Sequence, residues 1–165
     1  NKLFRREVLD GIRFSTELSF AEDYEMFCRV LEQCGRIVCG TKTKYYYMQR
    51  KSGVCNCGYD RTYQKAMMMF EDYCRIYSRR YPQYKKLFEN HYLFDLMGMA
   101  AAMSRNGNYV AADCRKIKKY VRQKLPQYLM DKKVSLHLKG SACMISVSVR
   151  AFGAVYRLLH GVESE

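Results

Sequence analysis

The stretch SFAEDYEMFCRVLEQCG, residues 19–35, decides how the rest of the chain is read. Its apolar residues fall at 20, 24, 27, 28, 30, 31 and 34, close to the helical period. Ser19 is placed to cap the helix. Glu22, Asp23 and Glu25 put negative charge in the first turns, where the helix dipole favours it. Gly35 supplies the stop. Immediately after it, Arg36-Ile37-Val38-Cys39 reads as a short buried strand, and Gly40-Thr41-Lys42 as a turn. Tyr45-Tyr46-Tyr47-Met48 then reads as a second strand, which runs into the loop Lys51-Ser52-Gly53. Helix, strand, turn and strand in this order predict an α/β segment over residues 1–58.

Downstream, the pattern turns wholly helical. Tyr63, Met67, Phe70, Tyr73, Cys74 and Tyr77 keep a spacing of three to four, and Pro82 closes that helix. A second helix is predicted from Tyr84 to Met103, stopped near Asn106-Gly107. A third runs from Tyr109 to Leu125, with Pro126 after it. In the last zone, Ala142, Ile145, Val149, Phe152, Tyr156 and Leu159 share one face of a predicted amphipathic helix. Ser146, Arg150, Gly153, Arg157 and His160 share the other. The Met67-Met68-Met69 and Met97/Met99/Met103 groups read as core at helical spacing, with a flexible binding surface as the alternative.

The 165 residues carry a net charge of +13 and are 48% hydrophobic, which excludes a disordered tail. The charge is uneven. Residues 115–157 hold eleven Lys or Arg against one acid, Asp131. Such a field predicts an anionic partner: a membrane surface, a phosphorylated substrate or nucleic acid. The alternative is a solvated basic face. Nucleic acid is the less favoured partner, because residues 115–139 hold only Tyr120 and Tyr128 as aromatics and no nucleic-acid motif occurs. The C-terminal apolar run is too short and too charged to span a bilayer. It fits either a helix lying on the membrane or one packed on its neighbours. Of the eight cysteines, most sit in apolar periodic segments, as reduced cysteines in a cytoplasmic protein do. Cys55 and Cys57 are too close together, and too isolated, for zinc-finger spacing. The opening residues have no signal-peptide pattern. Without an initiating Met, the chain reads as part of a longer protein.

One ordered set of features is specific. Asn1-Lys2-Leu3-Phe4-Arg5-Arg6-Glu7-Val8-Leu9 is followed by Ile12-Arg13-Phe14 and by Glu22-Asp23 opening an amphipathic helix; Tyr45-Tyr46-Tyr47 with Gln49-Arg50 come next. The set resembles the second half of the catalytic domain of bacterial family 2 glycosyltransferases, which build capsule, exopolysaccharide and lipopolysaccharide. The resemblance covers about the first 58 residues. It implies that residues 1–58 are an α/β remnant of a GT-A, Rossmann-like domain. Mainly α-helical sequence follows: an extension over 59–131 and a basic amphipathic C-terminal helix over 132–165.

The same resemblance implies the chemistry. A hexosyltransferase-like enzyme would move sugar from a nucleotide-diphosphate donor to a glycan or lipid-linked acceptor with inversion. The acceptor hydroxyl needs a base as it attacks, and the family pattern assigns that role to Asp23, with Glu22 orienting it or touching the acceptor. Lys2, Arg50 and Ser52 would contact the acceptor or the leaving diphosphate. Met48 and Gly53 depart from the pattern, where relatives commonly carry Arg and Ser; Ser52 would substitute by a one-residue shift. No Asp-x-Asp occurs, so the donor half and its Mg²⁺ or Mn²⁺ are expected in the parent protein and no cofactor in this chain. Lys132, Lys133, Lys139, Arg150 and Arg157 would hold the protein peripherally on the inner face of the cell membrane. Two other readings stay open. One is a non-catalytic basic helical module for anionic membrane. The other is a degenerate transferase remnant that serves as a partner.

Overall fold

The computed structural model describes residues 2–42, 45–46, 48 and 58–160. Among them helix predominates. After a 3-10 turn at Arg6–Leu9 come α1 (Glu22–Gln33), α2 (Arg61–Arg80), α3 (Lys85–Asn106), α4 (Ala111–Leu129), α5 (Leu136–Val147) and α6 (Val149–His160).

α3 organises the bundle. Leu93, Leu96, Met99, Ala100, Ala102 and Met103 are all buried, so about half of its circumference lies in the core. α2, α4, α5 and α6 pack around it, and α4 and α6 also pack against α5. Ile117 and Val121 from α4, and Ala142 and Ile145 from α5, complete the core. Both methionine groups contribute to it through Met67, Met97, Met99 and Met103, whereas Met68 is exposed.

Polar ties fix the helix ends. Asp60 caps α2, its carboxylate accepting the backbone N–H of Thr62 at 2.9 Å and of Tyr63 at 3.1 Å. Gly107 ends α3 in the left-handed conformation, with φ 70°. The buried Tyr59 pins the start of α2 to the start of α4: its hydroxyl donates to Asp113 at 3.0 Å. Its carbonyl accepts from the side chains of Asn106 at 3.0 Å and Asn108 at 2.9 Å.

Several sequence expectations are corrected. Residues 36–39 form no strand, and neither do the described residues of 45–48. Val38 is 81% exposed and Tyr46 91% exposed. A strand is stable when its backbone groups pair with a neighbour, and no described segment offers an edge. An α/β layer is therefore not formed by the described residues.

α1 starts at Glu22 without a side-chain cap. Ser19 lies too far upstream to reach its first amides, and Ala21 occupies the cap position with φ 61°. Pro126 lies inside α4 rather than after it. It costs one bond in the last turn, but the helix continues and buries Tyr128. The C-terminal zone is two helices rather than one. Ser148 is extended; its N–H closes α5 on the Met144 carbonyl at 2.9 Å, and its Oγ accepts the Ala151 N–H at 3.2 Å to open α6. The apolar spacing runs straight across this break, which is why the period alone does not reveal it.

Candidate functional site

The acidic pair opens α1, which is tied to α2 by aromatic and polar contacts. Phe20 stacks on Tyr63 with ring centroids 4.1 Å apart, and Tyr24 meets Phe70 edge-on at 5.2 Å. Tyr77 OH donates to the Cys28 carbonyl at 3.4 Å, and Arg80 pairs with Glu32 at 3.0 Å. Burial pushes the Cys28 thiol up to about 11, so it stays neutral at physiological pH.

The four acids of α1 divide into two kinds. Glu25 is held by Arg29 through two bonds of 2.7 and 2.8 Å, and it accepts from Tyr73 OH at 3.5 Å. Arg29 in turn donates to the Arg13 carbonyl. Glu32 is held by Arg80. Glu22 and Asp23 have no ion pair among the described residues. Asp23 is exposed, and its Oδ1 accepts the Tyr24 N–H at 2.8 Å. The pair follows directly on Ala21. A non-glycine residue there at positive φ costs roughly 1 kcal/mol, and strain of this kind concentrates at functional positions.

Lys2 is brought to the same region. Its Nζ lies over the Phe27 ring, 4.6 Å from the centroid, and Phe4 packs on that ring at 6.3 Å. Phe27 is four residues beyond Asp23, so Lys2 covers the helix face on which Asp23 lies. Arg50, Ser52 and Gly53 lie outside the described residues, as do Cys55 and Cys57. Met48 is exposed. No cluster of three or more His, Cys, Asp or Glu that could hold a metal ion occurs among the described residues.

The basic C-terminal residues separate. Lys132 and Lys133 are exposed in the turn before α5, and Lys139 is half-buried on α5. Arg157 belongs to the bundle: its Nη1 donates to the Ser104 carbonyl at 3.2 Å and to Tyr109 OH at 3.1 Å. Arg150 lies over the Tyr109 ring, 5.8 Å from the centroid. Most of the apolar face expected to choose between membrane and bundle lies in the bundle, for Ala142, Ile145, Val149 and Phe152 are buried, whereas Leu159 at its end is 73% exposed. No helix among the described residues is long and apolar enough to cross a membrane.

Two further features went unread in the sequence. His91 and Asp95 pair at 3.4 Å on α3, and Tyr24 meets the His91 ring edge-on at 5.7 Å. The Asp95 hydrogen bond raises the His91 pKa, and burial raises that of Asp95. Their i, i+4 spacing was a signal of contact, but not of burial. Separately, a cleft of about 370 Å³ opens between α2, α3 and α4, walled by Arg75, Arg79, Lys85, Lys124, Glu89 and Tyr120. Glu89 is only 8% exposed. Burial pushes its carboxyl up, but hydrogen bonds from Lys124 at 2.7 Å and Gln127 at 3.2 Å outweigh this and hold it below the usual value. None of the sequence-predicted site residues lines this cleft. Among protein-family models, curated proteins and solved structures, none matches the chain.

Proposed function

We propose that residues 1–58 are the acceptor-side segment of an inverting family 2 glycosyltransferase of GT-A type, with Asp23 as general base and Glu22 beside it. The observation that carries this reading is the division of the α1 acids. Glu25 and Glu32 are consumed by Arg29 and Arg80, while Glu22 and Asp23, at the start of the helix behind the strained Ala21, have no ion-pair partner among the described residues. A helix start is a rigid platform, and an exposed carboxylate there can accept the proton of an attacking hydroxyl. The acceptor oxygen bonds to the anomeric carbon, the bond to the nucleotide diphosphate breaks on the opposite side, and the hydroxyl proton passes to Asp23. Lys2, as a point charge over Phe27, would meet acceptor or diphosphate oxygens. Arg50 and Ser52, outside the described residues, would add contacts to the acceptor or the diphosphate. On this reading any divalent ion would be held, like the donor sugar, by the donor half of the GT-A domain rather than by these residues.

The test is sugar transfer by the parent protein with a panel of nucleotide sugars and Mg²⁺ or Mn²⁺. Asp23→Asn is expected to cut turnover by roughly two to four orders of magnitude while α1 still forms. Undiminished turnover in that variant would remove the base assignment. A second reading, a non-catalytic basic module, is favoured by one observation: residues 36–39 form no strand and leave Ile37 and Val38 exposed. Absence of transfer with every donor, in a folded parent protein, would favour it.

A further inference from the structure

We propose that the outward face of α5 docks on an anionic lipid bilayer, with Met130 and Leu136 entering the headgroup region and Lys132, Lys133 and Lys139 meeting lipid phosphates. This inference does not rest on the glycosyltransferase reading. It also assigns a surface different from the apolar face that the sequence pattern suggests.

α5 is apolar on two opposite sides. Its inward side, Ala142 and Ile145 with Leu138, is in the core. Its outward side is the stripe Leu136, Gly140, Cys143 and Val147, at the i, i+4, i+7, i+11 spacing of a single helix face. Leu136 is 84% exposed and Val147 68%, and Met130, 81% exposed, sits just before the turn that leads into α5. No charged residue interrupts the stripe. A helix with two apolar sides needs cover on both, and the bundle supplies cover on one.

Charge identifies what covers the other. Neither α5 nor α6 contains an acid. The one acid of residues 115–157, Asp131, is already engaged: it accepts from the Lys133 N–H and from Asn90 Nδ2, each at 2.9 Å, and it lies 3.8 Å from Lys86. Three lysines, with Asp131 as the one acid near them, thus flank an apolar stripe, and none of the three forms an ion pair among the described residues. A second copy of the chain would bring those lysines against their like, and the net charge of +13 makes self-association costlier still. A nucleic acid would neutralise the lysines but leave Leu136, Val147 and Met130 in water. An anionic bilayer satisfies both demands, since acyl chains accept the apolar side chains and phosphates accept the ammonium groups. At 12 residues, α5 would lie in the plane of the interface rather than cross it.

The test is sedimentation of the full chain with extruded vesicles of phosphatidylcholine, alone or with 30% phosphatidylglycerol. Binding is expected only to the anionic vesicles, and it should fall as NaCl rises from 0.1 to 0.4 M. Lys132→Gln, Lys133→Gln and Lys139→Gln together should weaken it about a hundredfold, roughly fivefold for each lysine. Leu136→Gln with Val147→Gln should weaken it at least tenfold even at low salt, with an unchanged far-UV spectrum. The chain has no Trp, so a Val147→Trp variant reports directly on the face. Its emission should shift to the blue and be quenched by brominated lipid, whereas an Ile76→Trp variant on α2 should do neither. Equal binding to neutral and anionic vesicles overturns the proposal. So does anionic binding that survives Leu136→Gln with Val147→Gln, or an indole at position 147 that stays water-exposed on bound protein. A chain that ignores vesicles but forms a stoichiometric complex with an acidic protein also overturns it.

Discussion

Substituting one glycine tests whether α6 belongs to the bundle. Gly153 is buried where α6 crosses α3, and a Cβ placed there would lie 2.0 Å from Tyr109 Oη and 2.7 Å from Ser104 Oγ. To restore an ordinary contact of 3.4 Å, the Tyr109 hydroxyl must retreat by about 1.4 Å. That hydroxyl accepts from Arg157 at 3.1 Å, so its retreat also strains the Arg157 bond. Overpacking costs about 1–3 kcal/mol, and the weakened hydrogen bond about 1 kcal/mol. Alanine in place of glycine within a helix returns about 1 kcal/mol. Gly153→Ala should therefore destabilise by about 1–3 kcal/mol, lowering the urea midpoint by roughly 0.5–1.5 M for a slope near 2 kcal/mol/M. Gly98 and Gly140 are the internal controls. Both are helical, and nothing lies within 4 Å of an added Cβ at either, so Gly98→Ala and Gly140→Ala should each stabilise by about 0.5–1 kcal/mol. If Gly153→Ala stabilised like the controls, α6 would not be packed on α3. The apolar face of Val149 and Phe152 would then be free for another surface.

Other outcomes follow from local geometry. Ala21→Gly should raise stability by up to about 1 kcal/mol, because it relieves a left-handed alanine; a loss on urea unfolding would mean that Ala21 is not strained. His91 should titrate above 6.5 by proton NMR, and Asp95→Asn should bring it down, because the Asp95 hydrogen bond is the chief cause of the rise. The sign is fixed by linkage. A raised histidine pKa gives stability that is fully present below about 6.5 and is lost as pH climbs through the higher folded value. The advantage of the wild type over His91→Gln should thus be larger at pH 5.5 than at pH 8.5, and a reversed order would refute the pairing.

The bundle was legible because its helices obey one rule. The 3–4 spacing of Tyr63, Met67 and Phe70, and the stops at Pro82 and Gly107, place α2 and α3 to within a few residues. The strands failed because the run at 36–39 carries β-type side chains, and side chains do not report whether an edge is there to pair with. The break at Ser148 was hidden because a serine cap costs one residue while the apolar spacing continues through it. The candidate site was half legible. Glu25 with Arg29 could be paired from i, i+4 spacing alone, but the capture of Glu32 by Arg80 joins residues 48 apart. That contact leaves Glu22 and Asp23 as the acids of α1 with no ion pair among the described residues.

Two groups of exposed apolar side chains differ in setting in a way that argues for different partners. Leu3, Ile37, Val38 and Tyr46 lie in or beside segments whose backbone amides are not engaged in a ladder. A partner for them must supply hydrogen bonds as well as apolar surface, which is what a sheet edge offers. Leu136 and Val147 project from a helix whose backbone is already satisfied, so their partner need supply only apolar volume, ringed by negative charge. Fluid lipid meets that lesser requirement; an ordered protein surface is not needed. Between the two regions, α1 is not free to drift. The Tyr24–Phe70 and Phe20–Tyr63 contacts, with the Arg80–Glu32 pair, fix it on α2, and α2 packs on α3. Whatever seats α5 therefore also sets the orientation of Asp23.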